Sequence, residues 1–551
     1  MGWLLGFVLY AHFYLTCARG VSSQGFLGIG ISASIQAHVG QSDWLGDAEV
    51  CATREVVKQA AESETLADAD LESAREEVKK AAEVLGSSLK ALKTLVIDDQ
   101  TISDINVDNL AALWKNTFQF TAMRTWRLFP DNTSVFVSTG DIPQMWLRDS
   151  SAQLMPYVQL LTATPPSLQT DALRQVLEAA MRRQVRFILS DPYASAFYFE
   201  HGEANEQGPT KQGCPRSDIC KTCTCAKCAP ACGPYTYQKD FELDSLLYPI
   251  LLHHKYWKAT GTTSHLNADF TKALDAILEL MKIEQRHNTQ SKYWYKGGTP
   301  GPPFKDDIGL VWSYALPSDD AASGYNIPEN LMAVEALRLA AEMARGPMKE
   351  GRLGYYLEQL ARTIERAIDK FGVVDDSRSS NSTEVFAFQV DGFGNHTLED
   401  DANMPNLLWL PYLGHRGSLL RKYGEIYRNT RKLVLSAKNK NFFTSSVAGK
   451  RIKGLGSQHH SMGLRAMGSE CMGDCVWHLG LVMQGMTAEI PEEKADCMRQ
   501  ILSTDAGKLF LHEGFNPDCP EDYNRDDFGW ANALFSEWVM REWAPSKSTL
   551  P

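Results

Sequence analysis

Four stretches of this 551-residue chain bring carboxylates and aromatics together: Trp146-Leu-Arg-Asp149; Lys239-Asp-Phe-Glu-Leu-Asp-Ser245; Ser318-Asp-Asp-Ala321 running into Tyr325-Asn-Ile-Pro-Glu-Asn330; and His512-Glu-Gly-Phe515. The chain has no Gly-X-Ser-X-Gly, phosphate-cradling glycine loop or His-Glu-X-X-His, which removes the commoner hydrolase and metal chemistries. What remains is a pair of carboxylates flanking a pocket. Cleavage of a glycosidic bond needs that arrangement, with one acid to protonate the leaving oxygen and one carboxylate to activate water or attack the sugar. Asp319 or Asp320 and Glu513 are the candidates. Adjacent aspartates raise each other's pKa when partly buried, which keeps one protonated as the acid. Ser318-Asp-Asp read as a helix cap, and His512-Glu513 read as a surface loop, are the plainer alternatives.

Thr139-Gly-Asp-Ile-Pro-Gln-Met-Trp-Leu-Arg-Asp-Ser150 is placed as the pocket floor. Gly140 and Pro143 predict a loop, in which Trp146, Arg148 and Asp149 set a flat apolar face beside a rigid donor fork and an acid. Such a set suits a polyhydroxylated ligand; a buried Arg-Asp pair tying the loop to the core is the alternative. Aromatic faces stack on pyranose rings, and Trp146, Trp409 and Trp530 are possible platforms. Each is equally a core residue, Trp530 above all, because it opens an apolar helix.

The elements that must hold these stretches are helical. Leu353, Leu357, Leu360, Ile364, Ile368 and Phe371 recur at three- or four-residue spacing and stop at Gly372. Asp171 to Leu189 forms a second helix, Leu331 to Ala344 a third with Pro328 near its start and Gly346-Pro347 beyond its end, and Trp530 to Trp543 a deeply buried fourth. Leu110-Ala-Ala-Leu-Trp114 is the first buried helical face, and Phe136 and Val137 predict a short strand. Long helices joined by Gly-, Pro- and Asp-rich loops, without βαβ alternation, predict an all-helical toroid whose loops line a pocket at one end.

Composition sets outer bounds. With 44% hydrophobic and 22% charged residues the chain can bury a large core. A formal net charge of -12 argues against nucleic acid or an anionic membrane surface as partner. Residues 1–20 read as a secretory signal peptide with Thr16-Cys-Ala18 as cleavage site, or as an uncleaved anchor, the one route to membrane attachment. The expected localisation is therefore secreted or within the ER and Golgi lumen. Sequons at Asn132, Asn381 and Asn395 agree with that route. Cys214, Cys220, Cys223, Cys225, Cys228 and Cys232 form a burst that reads as a disulfide-stapled loop in an oxidising compartment, and as a zinc site in a reducing one. Residues 21–107 read as a largely helical N-terminal extension, with Ala48 to Leu95 mostly solvated, and 108–545 as the catalytic domain with a Cys-rich insertion at 213–233.

Taken together, the blocks resemble glycoside hydrolase family 125, the exo-acting α-1,6-mannosidases. The resemblance runs from Leu110 to Trp543 and rests on Thr139 to Ser150, Lys239 to Leu246, Ser318-Asp-Asp320 with Tyr325 to Pro328, Asp400-Asp-Ala-Asn-Met-Pro405, Gly454-Leu-Gly-Ser-Gln-His459, and Leu511 to Phe515 with Trp530-Ala-Asn532. It implies an (α/α)6 barrel and hydrolysis of an α-mannoside glycan with inversion, without metal or cofactor. It also implies an aspartic acid catalyst at Asp319, with Asp320 as the alternative, and a base at Glu513. Arg148, Asp149, Asp244 and His459 look similar to the residues around the family's terminal mannose; Trp146, Glu242 and His512 join them as candidate substrate contacts. Three features depart from the pattern: the cysteine burst, Val476-Trp-His478 after Cys471 and Cys475 where a Trp-Pro pair is expected, and Gly514 in place of Ser after Glu513. Another helical-barrel glycosidase, trehalase- or glucosidase-like, and a catalytically silent glycan-binding protein are the alternatives.

Overall fold

The structure, a computed structural model, describes residues 65–163, 168–200, 233–293, 303–316, 322, 324–376, 383–413, 418–457 and 475–543. The proposed signal segment, the cysteine burst from Cys214 to Cys232, Asp319, Asp320, Asn381 and His459 lie outside the described residues. From Glu64 onward the chain forms one compact unit.

The helices that build the architecture are α1 (Asp68–Lys90), α2 (Val107–Arg124), α3 (Leu147–Ala163), α4 (Asp171–Ser190), α5 (Leu243–Thr260), α6 (Ala268–Glu284), α7 (Ile327–Arg345), α8 (Gly351–Ala367), the short α9 (Leu410–Leu413), α10 (Ser418–Val434), α11 (His478–Met486), α12 (Pro491–Leu502) and α13 (Gly529–Trp543), and a single helical turn at His287–Gln290 follows α6. From α2 onward they alternate between an outer and an inner layer. In the inner layer α3 packs on α5, α5 on α7, α7 on α9, and α11 on α13, which returns to α3. This is an (α/α)6 barrel.

Burial patterns show why each helix takes its layer. In α8 the buried side chains Leu353, Leu357, Leu360 and Ile364 form one stripe, so the helix has one apolar face and belongs outside. Each such side chain contributes roughly 1.5–3 kcal/mol when removed from water. In α7 every residue from Ile327 to Leu337 is buried, so it must be enclosed on all sides. Pro328 fits its first turn, the Asn326 side chain accepts the Glu329 N–H at 2.9 Å, and Gly346 ends the helix. The periodic segments read from the sequence all form helices close to the expected bounds, the α8 stripe ending in a π-turn at Ile368–Gly372.

The N-terminal extension is helical with most of its described residues at least partly exposed, and one face of α1 buries Leu71, Ala74, Val78, Leu85 and Leu89 against the barrel. Arg75 donates to the carbonyls of Ala122 at 2.9 Å and Trp126 at 2.8 Å, where α2 ends. Glu77 accepts the N–H of Leu173 at 2.8 Å in the first turn of α4. The helix thus satisfies orphan backbone groups at two helix ends. Its high Ala, Glu and Lys content hid this, because alanine spacing carries little hydrophobic contrast.

Short antiparallel strands gather just ahead of inner helices. β1 (Met145–Trp146), β2 (Ala196–Phe197) and β3 (Thr236–Gln238) form one sheet in that order; β4 (Tyr325–Asn326), β5 (Gln389–Val390) and β6 (His396–Thr397) form another; β7 (Val476–Trp477) pairs with β8 (Gly514–Phe515). Registers match Trp146 with Ala196, Asn326 with Gln389, and Trp477 with Gly514. β1, β4 and β7 run directly into α3, α7 and α11. The expected strand at Phe136 and Val137 is also present, within Val135–Val137 paired to Trp126–Leu128.

Candidate active site

The strand-to-helix junctions place the polar residues. Trp146 ends β1, and Arg148 and Asp149 occupy the first turn of α3, so only the part of the block before β1 is the loop expected from Gly140 and Pro143. Glu242 is the N-cap of α5 and Asp244 lies in its first turn; Glu329 lies in the first turn of α7. Carboxylates at helix N-termini face the positive end of the helix dipole, and three adjacent inner helices aim these ends at one region.

Arg148 ties that region together. Its Nη1 donates to Glu242 Oε2 at 2.6 Å and lies 3.2 Å from Asp244 Oδ2, its Nε lies 3.5 Å from Asp149 Oδ2, and its guanidinium sits 5.3 Å from the centre of the Trp530 ring. Ser245 Oγ donates to the same Glu242 oxygen at 2.7 Å, and Ser313 Oγ donates to Glu329 Oε2 at 2.6 Å. All four carboxyl groups are buried. Buried carboxylates crowded around one guanidinium favour protonation of some of them. Burial, reinforced by Asp244, holds Glu329 well above the ordinary carboxyl range. Burial also pushes Asp244 up to about 6, against the pull of Arg148 and with a further push from Asp149.

This shift makes a testable signature. A carboxyl with a raised folded-state pKa binds its proton more tightly folded than unfolded. Stability is then highest below the ordinary value of 3.8 and falls as pH rises to about 6; above that the full cost, on the order of 2–3 kcal/mol, is present. Thermal melts of the parent and Asp244→Asn across this range will show the variant gaining on the parent as pH rises. A pH-independent difference between the two would contradict the assignment.

Glu513 lies at the edge of β8, half-buried. Asn524 Nδ2 donates to its Oε2 at 2.6 Å and Arg525 Nη1 lies 3.3 Å from its Oε1. Asn524 is itself oriented, because its Oδ1 accepts the Gly514 N–H at 2.6 Å. Arg525, in left-handed backbone at φ 59°, also reaches Asp141 with Nε at 3.0 and 3.1 Å from the two carboxylate oxygens. Backbone bonds reinforce this link: Asp141 N–H to the Asp527 carbonyl at 2.9 Å and Gly529 N–H to the Thr139 carbonyl at 3.0 Å. Gly140 adopts φ +131°, and a Cβ there would stand 1.9 Å from the Asp527 carbonyl oxygen, so only glycine permits the clasp.

The remaining candidates take defined places. His512 is fully buried, stacks on Tyr523 at 3.6 Å, and sets its Nδ1 3.2 Å from the Arg525 carbonyl; burial lowers its pKa, so it is neutral. Trp146 packs edge-on to Tyr237, Trp409 stacks on Tyr412, and Trp530 offers its face to Arg148. All three indoles are buried. The segment bearing Asp319 and Asp320 is flanked by anchored residues: Tyr314 and Ala315 donate their N–H groups to the Phe241 carbonyl, next to Glu242, and Ala322 N–H bonds the Tyr314 carbonyl at 2.8 Å. Ser457, two residues before His459, accepts Asn403 Nδ2 at 3.1 Å. Asn524 and Arg525 were not among the residues read from the sequence. Asp141 sits inside the quoted Thr139 block, but nothing in its type marked it as the partner of a residue nearly four hundred positions away.

Residues 108–540 match the family described as metal-independent alpha-mannosidase (GH125). The chain belongs to this family. A protein of Schizosaccharomyces pombe, the meiotically up-regulated gene 157 protein, is 29% identical over 476 residues, spanning 80% of this chain and 84% of its own length. A metal-independent alpha mannosidase from Streptococcus pneumoniae, solved in a non-productive complex with alpha-1,6-mannobiose, superposes with a TM-score of 0.68 at 29% identity, covering 85% of this chain and 98% of the bacterial one. As a GH125 member the protein is a glycoside hydrolase of the alpha-mannosidase class. The departures noted at Gly514 and at Val476-Trp-His478 are accommodated in the β7–β8 pair, where Gly514 faces Trp477.

Proposed function

We propose that the protein removes terminal α-1,6-linked mannose from glycans by direct, inverting hydrolysis. The observation that carries this reading is Glu513: a half-buried carboxylate oriented by Asn524 and Arg525. In this mechanism Asp319, with Asp320 as the alternative, gives its proton to the glycosidic oxygen as the C1–O bond breaks. A water attacks C1 from the opposite face and yields its proton to Glu513. Arg148, Asp149, Glu242 and Asp244 supply directed hydrogen bonds to the hydroxyls of the terminal sugar, and His459 joins them.

Two measurements test this. Proton NMR of the first-formed product will show β-mannose from an α-linked substrate; α-mannose appearing first overturns inversion. A panel of aryl α-glycosides and α-linked mannobioses separates the reading from a glucosidase-like specificity and from binding without turnover. Within the acid pair, Asp319→Asn is expected to remove most turnover, roughly 10²- to 10⁴-fold, while Asp320→Asn removes less. The reverse order would move the acid to Asp320.

The sequence features at residues 1–20 and the three sequons support a place in the secretory pathway as part of the same proposal, with residues 108–545 as the catalytic domain. Mass spectrometry of the non-reduced protein, reading the Cys214 to Cys232 segment as oxidised and metal-free, checks the compartment.

A further inference from the structure

Beyond the barrel mouth, one surface hairpin has an unusual composition. β5 and β6 pair Val390 with His396, leaving a five-residue turn from Asp391 to Asn395. The turn is closed by the Asp391 N–H on the Asn395 carbonyl at 3.2 Å, and the Asp391 carboxylate fills its inside, accepting the N–H groups of Phe393 at 2.8 Å and Asn395 at 3.0 Å. Gly392 and Gly394 take positive φ values of 76° and 112°, as so tight a loop requires. At its tip Phe393 is 63% exposed, the most exposed large apolar side chain among the described residues. Two positions on stands Asn395, exposed, in the triplet Asn395-His-Thr397.

A single exposed phenylalanine is unremarkable on a protein surface. Here, however, the ring tops a turn made rigid by three bonds to one carboxylate, within two residues of a glycan-acceptor asparagine. We infer that Asn395 carries an N-linked glycan whose first sugar packs its apolar face on the Phe393 ring. The carboxamide nitrogen of Asn395 attacks C1 of a lipid-diphosphate-linked oligosaccharide; the C1–O bond to phosphate breaks, the lipid diphosphate leaves with the electron pair, and the nitrogen loses one proton. One N–H remains, enough to keep the 2.6 Å bond that Asn395 Nδ2 donates to Asp391 Oδ2. The Thr397 hydroxyl is buried in the folded hairpin, so transfer precedes folding. Once attached, the sugar finds the aromatic face already in place, because the turn is closed by its own bonds, most of them to the Asp391 carboxylate, rather than by the glycan. Asn132 is an exposed sequon with no aromatic two positions before it and serves as the internal comparison.

The test is to express the full chain in a eukaryotic secretory host under its own N-terminus and map glycopeptides before and after peptide-N-glycosidase treatment. Occupied Asn395, and the loss of one glycan from the gel ladder in Asn395→Gln, are the expected results. The form glycosylated at Asn395 will melt above the unoccupied form separated from the same preparation, both keeping the asparagine, and the Phe393→Ala variant will lose most of that difference. An unmodified Asn395 overturns the inference, whether or not Asn132 is modified. A glycan at Asn395 that shifts the melting of the parent and of Phe393→Ala equally overturns the stacking contact. Neither outcome bears on the hydrolysis assigned to the barrel, which glycoside assays of the same preparations read independently.

Discussion

Glu513→Gln will fold and lose roughly 10²- to 10⁴-fold in turnover, the usual contribution of a positioned general base. The fold survives because the substitution keeps the shape, yet it is not silent. Both Glu513 oxygens face donors, from Asn524 and Arg525, so the new amide NH₂ must point at one of them. Asn524 cannot flip to offer its oxygen without abandoning the Gly514 N–H. A loss of about 1–3 kcal/mol in unfolding free energy therefore accompanies the catalytic loss. Measured together by kinetics on an α-mannoside and by denaturant melts, the two effects separate a base from a residue that merely braces the loop. Full turnover with a lowered stability would remove Glu513 from the mechanism.

Arg148→Ala has the largest expected structural effect. It strips the cation from buried Asp149, Glu242 and Asp244, and breaking a buried pair by removing one partner typically costs about 3–5 kcal/mol. The sign of its pH dependence is fixed: without the guanidinium the carboxyl pKa values climb further, so the deficit is greatest at neutral pH and shrinks in mild acid as the groups protonate. Arg148→Lys keeps a charge but not the fork that spans Glu242 and Asp149, and will recover part of the stability and little of the activity. Urea melts at two pH values check this; a loss below about 1 kcal/mol at neutral pH would show that the cluster is relieved by protonation alone.

Much of this architecture was legible in the chain because its helices are periodic. Leu353, Leu357, Leu360 and Ile364 mark one face of α8, while Trp530 to Trp543 is apolar on most sides and reads as deeply buried, as α13 is. The polar blocks stood out for the same reason: Arg148, Glu242 and Asp244 interrupt apolar runs with charges that a core would otherwise exclude. The two-residue strands did not, since a pair such as Met145–Trp146 is too short for alternation to show. Arg148 and Asp149 were read as loop residues because Gly140 and Pro143 dominate the local signal, whereas the β1 pairing with β2 ends the loop and starts α3. Asn524 and Arg525 were missed because their roles come from tertiary contacts, with no spacing to Glu513 that a helix or strand would impose.

The clasp between Thr139–Asp141 and Asp527–Gly529 has a consequence for biosynthesis. These two segments come together only after nearly all of the chain has left the ribosome, and closing so long a loop is among the slow events of folding. Residues contributed early, around Arg148, wait for a C-terminal partner that emerges last. A chain truncated before Arg525 lacks the cation that orients Glu513 and the backbone seam that closes the ring, so a nascent or prematurely terminated product cannot assemble a working centre.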